Sequence, residues 1–237
     1  MRTRTREPQT LGGAGTLDRL ARILAARNID PVTVATAAAP AEPEPYSPLD
    51  VLAAGMPPRY RTAVADHPQV LSWTREVAAQ AVAPGTGARR QVVTGPSLLM
   101  AGVVGAGKTY QAYGAVRALV GAGVGVRWRA TTAADLYAEL RPRAGVDSER
   151  ELAAVSRVPL LILDDLGAAK ASEWVEEITY RLVNRRYNHC LPTLITSNLA
   201  ISALRAHVGD RVASRLAQMT TRVEFAPVDR RRTRTAA

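Results

Sequence analysis

Residues 102–109 read Gly-Val-Val-Gly-Ala-Gly-Lys-Thr, and no other stretch constrains the fold of this chain as strongly. The octet follows a short apolar run, Ser97–Ala101, and opens a helical pattern over Lys108–Val120. A strand that turns through glycines into a helix gathers backbone N–H groups at one point, because glycine takes turns that side chains resist. The helix end adds its positive dipole. Gly102, Val103, Val104, Gly105, Ala106, Gly107, Lys108, Thr109 and Tyr110 are therefore expected to surround a polyphosphate. Lys108 would reach the β and γ phosphates, and the Thr109 hydroxyl would face Mg2+. Only Lys108 and Lys170 are lysines among 31 basic residues. At position 108 a compact ammonium fits where a planar guanidinium is too bulky.

The chain has 237 residues, 47% of them hydrophobic and 22% charged. These are ordinary values for a globular chain of one or two domains, and they exclude wholesale disorder. The single cysteine, Cys190, rules out an internal disulfide framework or a Cys-built zinc site. His67, His189 and His207 are scattered, against a His-rich metal centre. No apolar run reaches membrane-helix length, and the basic start lacks an apolar segment behind it, so a cytoplasmic protein without a membrane partner is expected. The net charge is +10, with a concentrated tail at Arg230, Arg231, Arg232 and Arg234. That balance allows a polyanionic partner.

Thr16–Arg27 places Leu17, Leu20, Ile23 and Leu24 at helical spacing with arginines opposite. Such a short amphipathic helix needs something to pack on. Residues 31–48 are rich in Pro and Ala and read as a semi-rigid tether. Three regions are expected: 1–48 as tail, helix and linker, 49–232 as the main domain, and 233–237 as a basic tail. Helical pattern resumes over 49–83. From Gly95 onward strands alternate with helices: strands at 97–101, 124–131, 158–163, 192–197 and 222–226, helices at 133–140, 172–189, 201–207 and 210–219. That alternation implies a parallel sheet covered on both faces.

Leu160-Leu-Ile-Leu ends in Asp164-Asp165. Strand tips of parallel sheets face the ligand crevice. Asp164 is expected to hold Mg2+, and Asp165 to orient or deprotonate a water. Thr193-Leu-Ile-Thr-Ser is a second apolar strand, with Asn198 at its tip as a group that could touch the γ phosphate or that water. Arg211 and Arg215 share a helical face, solvated or phosphate-facing.

These pieces together resemble the AAA+ ATPases of the DnaC/DnaI helicase-loader and IstB transposition-helper group. The resemblance rests on Met56-Pro-Pro-Arg-Tyr-Arg, the 97–109 strand and loop, Leu161-Ile-Leu-Asp-Asp-Leu-Gly, Asn184-Arg-Arg-Tyr, Thr196-Ser-Asn-Leu, Gly209-Asp-Arg-Val-Ala-Ser-Arg-Leu and Asp229-Arg-Arg. It implies an α/β fold, an AAA+ P-loop core with a five-stranded parallel sheet flanked by helices and an N-terminal helical extension. It implies ATP with Mg2+, Asn198 as sensor 1, and Arg215 as the arginine finger with Arg211 as the other candidate. Arg231 or Arg230 would be a sensor-2-like arginine, although Ala226-Pro-Val stands where the group usually carries a glycine. Asp165 is one methylene shorter than the Glu of most AAA+ proteins, which implies slow, partner-stimulated hydrolysis. The implied partners are the replicative DNA helicase, single-stranded DNA and further copies of the chain in an ATP-dependent oligomer. A transposition helper is the alternative, and a metabolic P-loop kinase fits less well. Arg127-Trp128-Arg129 reads either as a cation–aromatic patch for single strands or as a strand with its Trp in the core.

Overall fold

The computed structural model describes residues 14–27, 47–145 and 147–228. The chain divides into two units, Met1–Pro45 and Tyr46–Ala237. In the first unit, α1 spans Ala14–Ala26, where the amphipathic pattern places a helix. Ile23 on it is 47% exposed.

The second unit opens with α2, Pro48–Ala54, started by a capping box in which Ser47 accepts from Asp50 N–H and Asp50 accepts from Ser47 N–H. A single 3-10 turn, Pro58–Tyr60, leads to α3, Pro68–Gln80. Helix α3 buries Val70, Trp73 and Val77 at helical spacing. The Trp73 indole N–H donates to Pro96 O at 2.8 Å, which pins α3 beside the first strand.

The strands are β1 (Ser97–Ala101), β2 (Trp128–Thr132), β3 (Leu160–Asp164), β4 (Thr193–Ser197) and β5 (Thr220–Glu224). They form one sheet in the order β2-β3-β4-β1-β5, every pairing parallel. The helices between them are α4 (Lys108–Gly121), α5 (Ala133–Leu140), α6 (Ser148–Arg157), α7 (Glu173–Asn188), α8 (Ile201–Val208) and α9 (Asp210–Met219).

The unbroken apolar runs of β1, β3 and β4 follow from burial on both faces. Alternation then sorts their side chains into two cores. Leu98, Met100, Leu160, Ile162 and Leu194 pack with α3 and α4. Leu99, Leu161, Leu163 and Ile195 pack with α5 to α9. The five-stranded parallel sheet matches the expected fold.

Two strands and one helix depart most from the sequence reading. Strand β2 begins at Trp128 rather than Val124, because Gly125 instead forms an isolated bridge with Gln91. Strand β5 starts at Thr220, two residues earlier than the apolar pattern suggests. As an edge strand with only Val223 buried, it carries little apolar signal. Helix α6 was not anticipated. Its signal is Asp147 as N-cap, Glu149 and Glu151 in the first turn, and Leu152 with Val155 buried three apart.

The segment before α3 is clamped onto α4. A Cβ at Gly114 would lie 2.4 Å from Ala65 N and 2.5 Å from Val64 C, so the two backbones meet where no side chain fits. Gln111 accepts from Asp66 N–H at 3.0 Å and His67 N–H at 3.1 Å. Tyr60 stacks on Tyr113 with centroids 4.5 Å apart.

Arg186 on α7 is fully buried, and among the described residues it has no acidic partner. It donates to Thr193 Oγ1 at 2.7 Å, Val158 O at 2.8 Å, Pro192 O at 2.8 Å and Ser156 O at 3.3 Å. One side chain thus ties α7 to the starts of β3 and β4. Burial pushes its pKa down to about 9, which still leaves it charged at neutral pH.

Candidate nucleotide site

The site is built at the carboxyl ends of β1, β4 and β3. The register pairs Ala101 with Ser197 and Leu163 with Ile195. Gly102, Asn198 and Asp165, each just past a strand, therefore emerge side by side. Ligands of open parallel sheets sit in this crevice.

Gly107 caps α4 at φ +93° with no side-chain hydrogen bond. Gly102 has φ +147°, and a Cβ there would lie 2.9 Å from Phe225 O. Glycine at 102 is thus required both by conformation and by the close pass of the chain after β5.

Lys108 is only 5% exposed. Its ammonium donates to Gly102 O at 2.8 Å, Val103 O at 2.9 Å and Asn198 Oδ1 at 2.9 Å. The Asn198 amide nitrogen donates to Asp165 Oδ1 at 2.8 Å. Asn198 thus bridges the loop lysine and the acid just past β3. Asp165 has φ +54°, one of two non-glycine residues among those described with positive φ. Its N–H is held by Thr196 Oγ1 at 2.9 Å.

Thr109 donates its hydroxyl to the Asp164 carboxylate, with Oδ1 at 3.0 Å and Oδ2 at 3.1 Å. Thr196 donates to Asp164 Oδ1 at 2.5 Å. Burial pushes the Asp164 carboxyl above the usual carboxylate range; the Thr196 bond opposes this, the Asp165 charge adds to it, and Thr109 and Lys108 oppose it. Among the described residues no group of three or more His, Cys, Asp or Glu could hold a metal by itself. One carboxylate and one hydroxyl remain as oxygen donors. That set fits Mg2+, which takes one or two protein oxygens and completes its shell with phosphates and water.

Several expected residues fall elsewhere. Tyr110 sends its hydroxyl to Thr62 O at 3.1 Å. Arg211 and Arg215, the candidates for reaching the phosphate of a neighbouring copy, lie on α9, and among the described residues no hydrogen bond joins them to the loop, Asp164, Asp165 or Asn198. Their guanidinium carbons lie over the rings of Tyr180 at 4.1 Å and Tyr187 at 4.4 Å, both on α7. Arg230 and Arg231 lie outside the described residues. The 127–129 patch is not a free stacking surface: Trp128 meets Tyr113 edge-on at 5.9 Å beside the core, and Arg129 is paired with Glu139. Thr196 was missed as a site residue, although a hydroxyl at the second-last position of an otherwise apolar strand is a visible signal. The tyrosines of α7 were missed because their arginine partners lie on another helix.

The sequence profile of the IstB-like ATP-binding proteins matches residues 89–225, which spans the sheet and every element of this site. The chain belongs to that family, and its fold and site define an AAA+ ATPase. The structure of the DnaC helicase loader is similar at 25% identity and TM-score 0.58, covering 71% of this chain and 99% of that one. DnaI is similar at 21% identity and TM-score 0.58, covering 74% and 94%. Replication initiator DnaA bound to AMPPCP and single-stranded DNA shares the fold at 20% identity and TM-score 0.55, covering 73% and 51%. None of the curated proteins matches the sequence. Among the described residues no helix is long and apolar enough to cross a membrane.

Proposed function

We propose that the chain is a Mg2+-dependent ATPase that loads the replicative DNA helicase onto DNA during replication initiation. The observation that carries this reading is the likeness to the DnaC loader, which extends over 99% of that chain. ATP binding and hydrolysis would switch the grip on DNA and helicase. The loop N–H groups and Lys108 bind the β and γ phosphates, exchanging the lysine's carbonyl partners for phosphate oxygens. Thr109 and Asp164 would hold Mg2+, which would supply charge neutralisation at the phosphoryl group. Asp165 orients and deprotonates the attacking water, and Asn198 links that acid to the γ phosphate. Arg215, with Arg211 as the other candidate, reaches the nucleotide of a neighbouring copy in an oligomer, and Arg231 serves as a sensor-2 arginine. The short Asp165 makes hydrolysis slow and partner-stimulated. Residues 1–48 dock on the helicase through the amphipathic helix, and the assembly works on single-stranded DNA in the cytoplasm.

A second reading, an ATPase helper of DNA transposition, is favoured by the family match over 89–225. Pull-down from host extract with ATP separates the two, using the full chain and a chain lacking residues 1–48. Recovery of the replicative helicase by the full chain alone supports the loader. Recovery of a transposase, or of no helicase by either chain, overturns it.

A further inference from the structure

Among the described residues, several arginines are held in one of two ways. Arg129, Arg181 and Arg205 give their N–H edges to Glu139, Glu149 and Asp210. Arg186 spends its edges on backbone and hydroxyl oxygens. A guanidinium held by its edge has at least one of its five donors already committed to an acceptor. Arg211 and Arg215 are instead held by their faces, over the rings of Tyr180 and Tyr187. Among the described residues neither is paired with a carboxylate, and the Arg215 edge makes only a long 3.4 Å contact with Gln218 on its own helix. A ring under the flat face leaves the in-plane donors free to take two oxygens of an anion at once.

The arrangement is repeated. The four-residue spacing puts both arginines on one face of α9, and the seven-residue spacing puts both tyrosines on one face of α7. A third ring of α7, Trp174, lies more loosely under Arg141 at 5.6 Å. Free arginine side chains sample many rotamers, and holding one before its anion arrives removes that entropy cost from the encounter.

We infer that Tyr187, and Tyr180 in the same manner, are positioning residues that hold Arg215 and Arg211 with their N–H edges turned out toward the phosphate oxygens of nucleotide bound by a neighbouring copy. This rests on the trans role given to Arg215 above. It adds that α7, which carries none of the phosphate-contacting residues, sets the aim of the arginines.

Turnover is measured on the full chain with MgATP and a single-stranded oligo(dT), for Arg215→Ala, Tyr187→Phe, Tyr187→Leu and the double variant Tyr187→Leu/Arg215→Ala. Arg215→Ala is expected to lower kcat at least about tenfold. Tyr187→Phe keeps the ring and stays near wild type. Tyr187→Leu lowers kcat about fivefold with KM for ATP unchanged, and the double variant is no slower than Arg215→Ala alone. Should the leucine variant fail to fold, Tyr187→pentafluorophenylalanine keeps the shape, reverses the ring charge, and is expected to lose the same activity. Wild-type turnover of Tyr187→Leu or of the fluorinated variant, with Arg215→Ala impaired, overturns the positioning role and leaves the trans arginine standing. Wild-type turnover of Arg215→Ala overturns both.

Discussion

Asn198 Nδ2 lies 2.8 Å from Asp165 Oδ1, so the residue after β4 holds the acid just past β3. The other end of the same amide accepts from Lys108. Asn198→Ala removes both contacts, yet Lys108 keeps its two loop carbonyls. Turnover is expected to fall about 100-fold, as when one charge-stabilising donor is deleted. ATP affinity should change little. Steady-state kinetics beside a nucleotide titration tests this, and a matching loss of affinity would refute it.

Lys108 is enclosed by acceptors at 2.8 and 2.9 Å. Lys108→Ala is expected to weaken ATP binding about 10- to 100-fold, the worth of a charged hydrogen bond. Lys108→Arg should fail to rescue it, since the planar group does not fit that enclosure. Titration with a fluorescent ATP analogue reads both.

Chelation is the test of the oxygen site. With excess EDTA, turnover should drop to background and return on adding Mg2+. Asp164→Asn removes charge while keeping shape, so the Mg2+ concentration for half-maximal turnover should rise. Unchanged Mg2+ dependence would remove Asp164 from the metal's shell.

Gly114→Ala drives a methyl into the backbone of Val64 and Ala65. Overpacking of this kind costs about 1–3 kcal/mol. Melting should fall by roughly 2–4 °C for each kcal/mol in a domain of this size. Proteolysis within 56–67 should quicken as that segment lifts from α4.

Arg186→Lys keeps a buried charge but cannot serve Thr193, Val158 and Pro192 together. The expected loss is about 3 kcal/mol, as for a buried charge whose partners are broken. Chemical denaturation measures it, and a loss under about 0.5 kcal/mol, the range of inert surface changes, would contradict the strut role.

The fold was readable wherever burial was two-sided. Leu98 to Ala101, Leu160 to Leu163 and Leu194 to Ile195 announce central strands because both faces are dry. Where one side meets solvent the signal thins. Thr220-Thr-Arg-Val-Glu gave two residues of error, and α6 hid behind polar residues with only Leu152 and Val155 to mark it. In the candidate site, Lys108, Thr109, Asp164, Asp165 and Asn198 stood out in sequence by residue type and position, and the structure joins Lys108 to Asn198, Asn198 to Asp165 and Thr109 to Asp164. Partnerships between distant elements did not. Nothing local in Tyr187 points to Arg215, and nothing local in Gly114 points to Ala65, because each pairing exists only after the helices pack.

The strand order has a consequence of measure. Neighbouring strands lie about 4.8 Å apart. With β4 inserted between β1 and β3, the turn leading to Lys108 and the acid at Asp165 rise from lines roughly 10 Å apart, twice that interval. Adjacent strands would set the two lines at half that distance. The sheet is thus a gauge, and its graduations are backbone hydrogen bonds. Substitutions at the strand tips can retune the chemistry, but the width they work across belongs to the ladder beneath them.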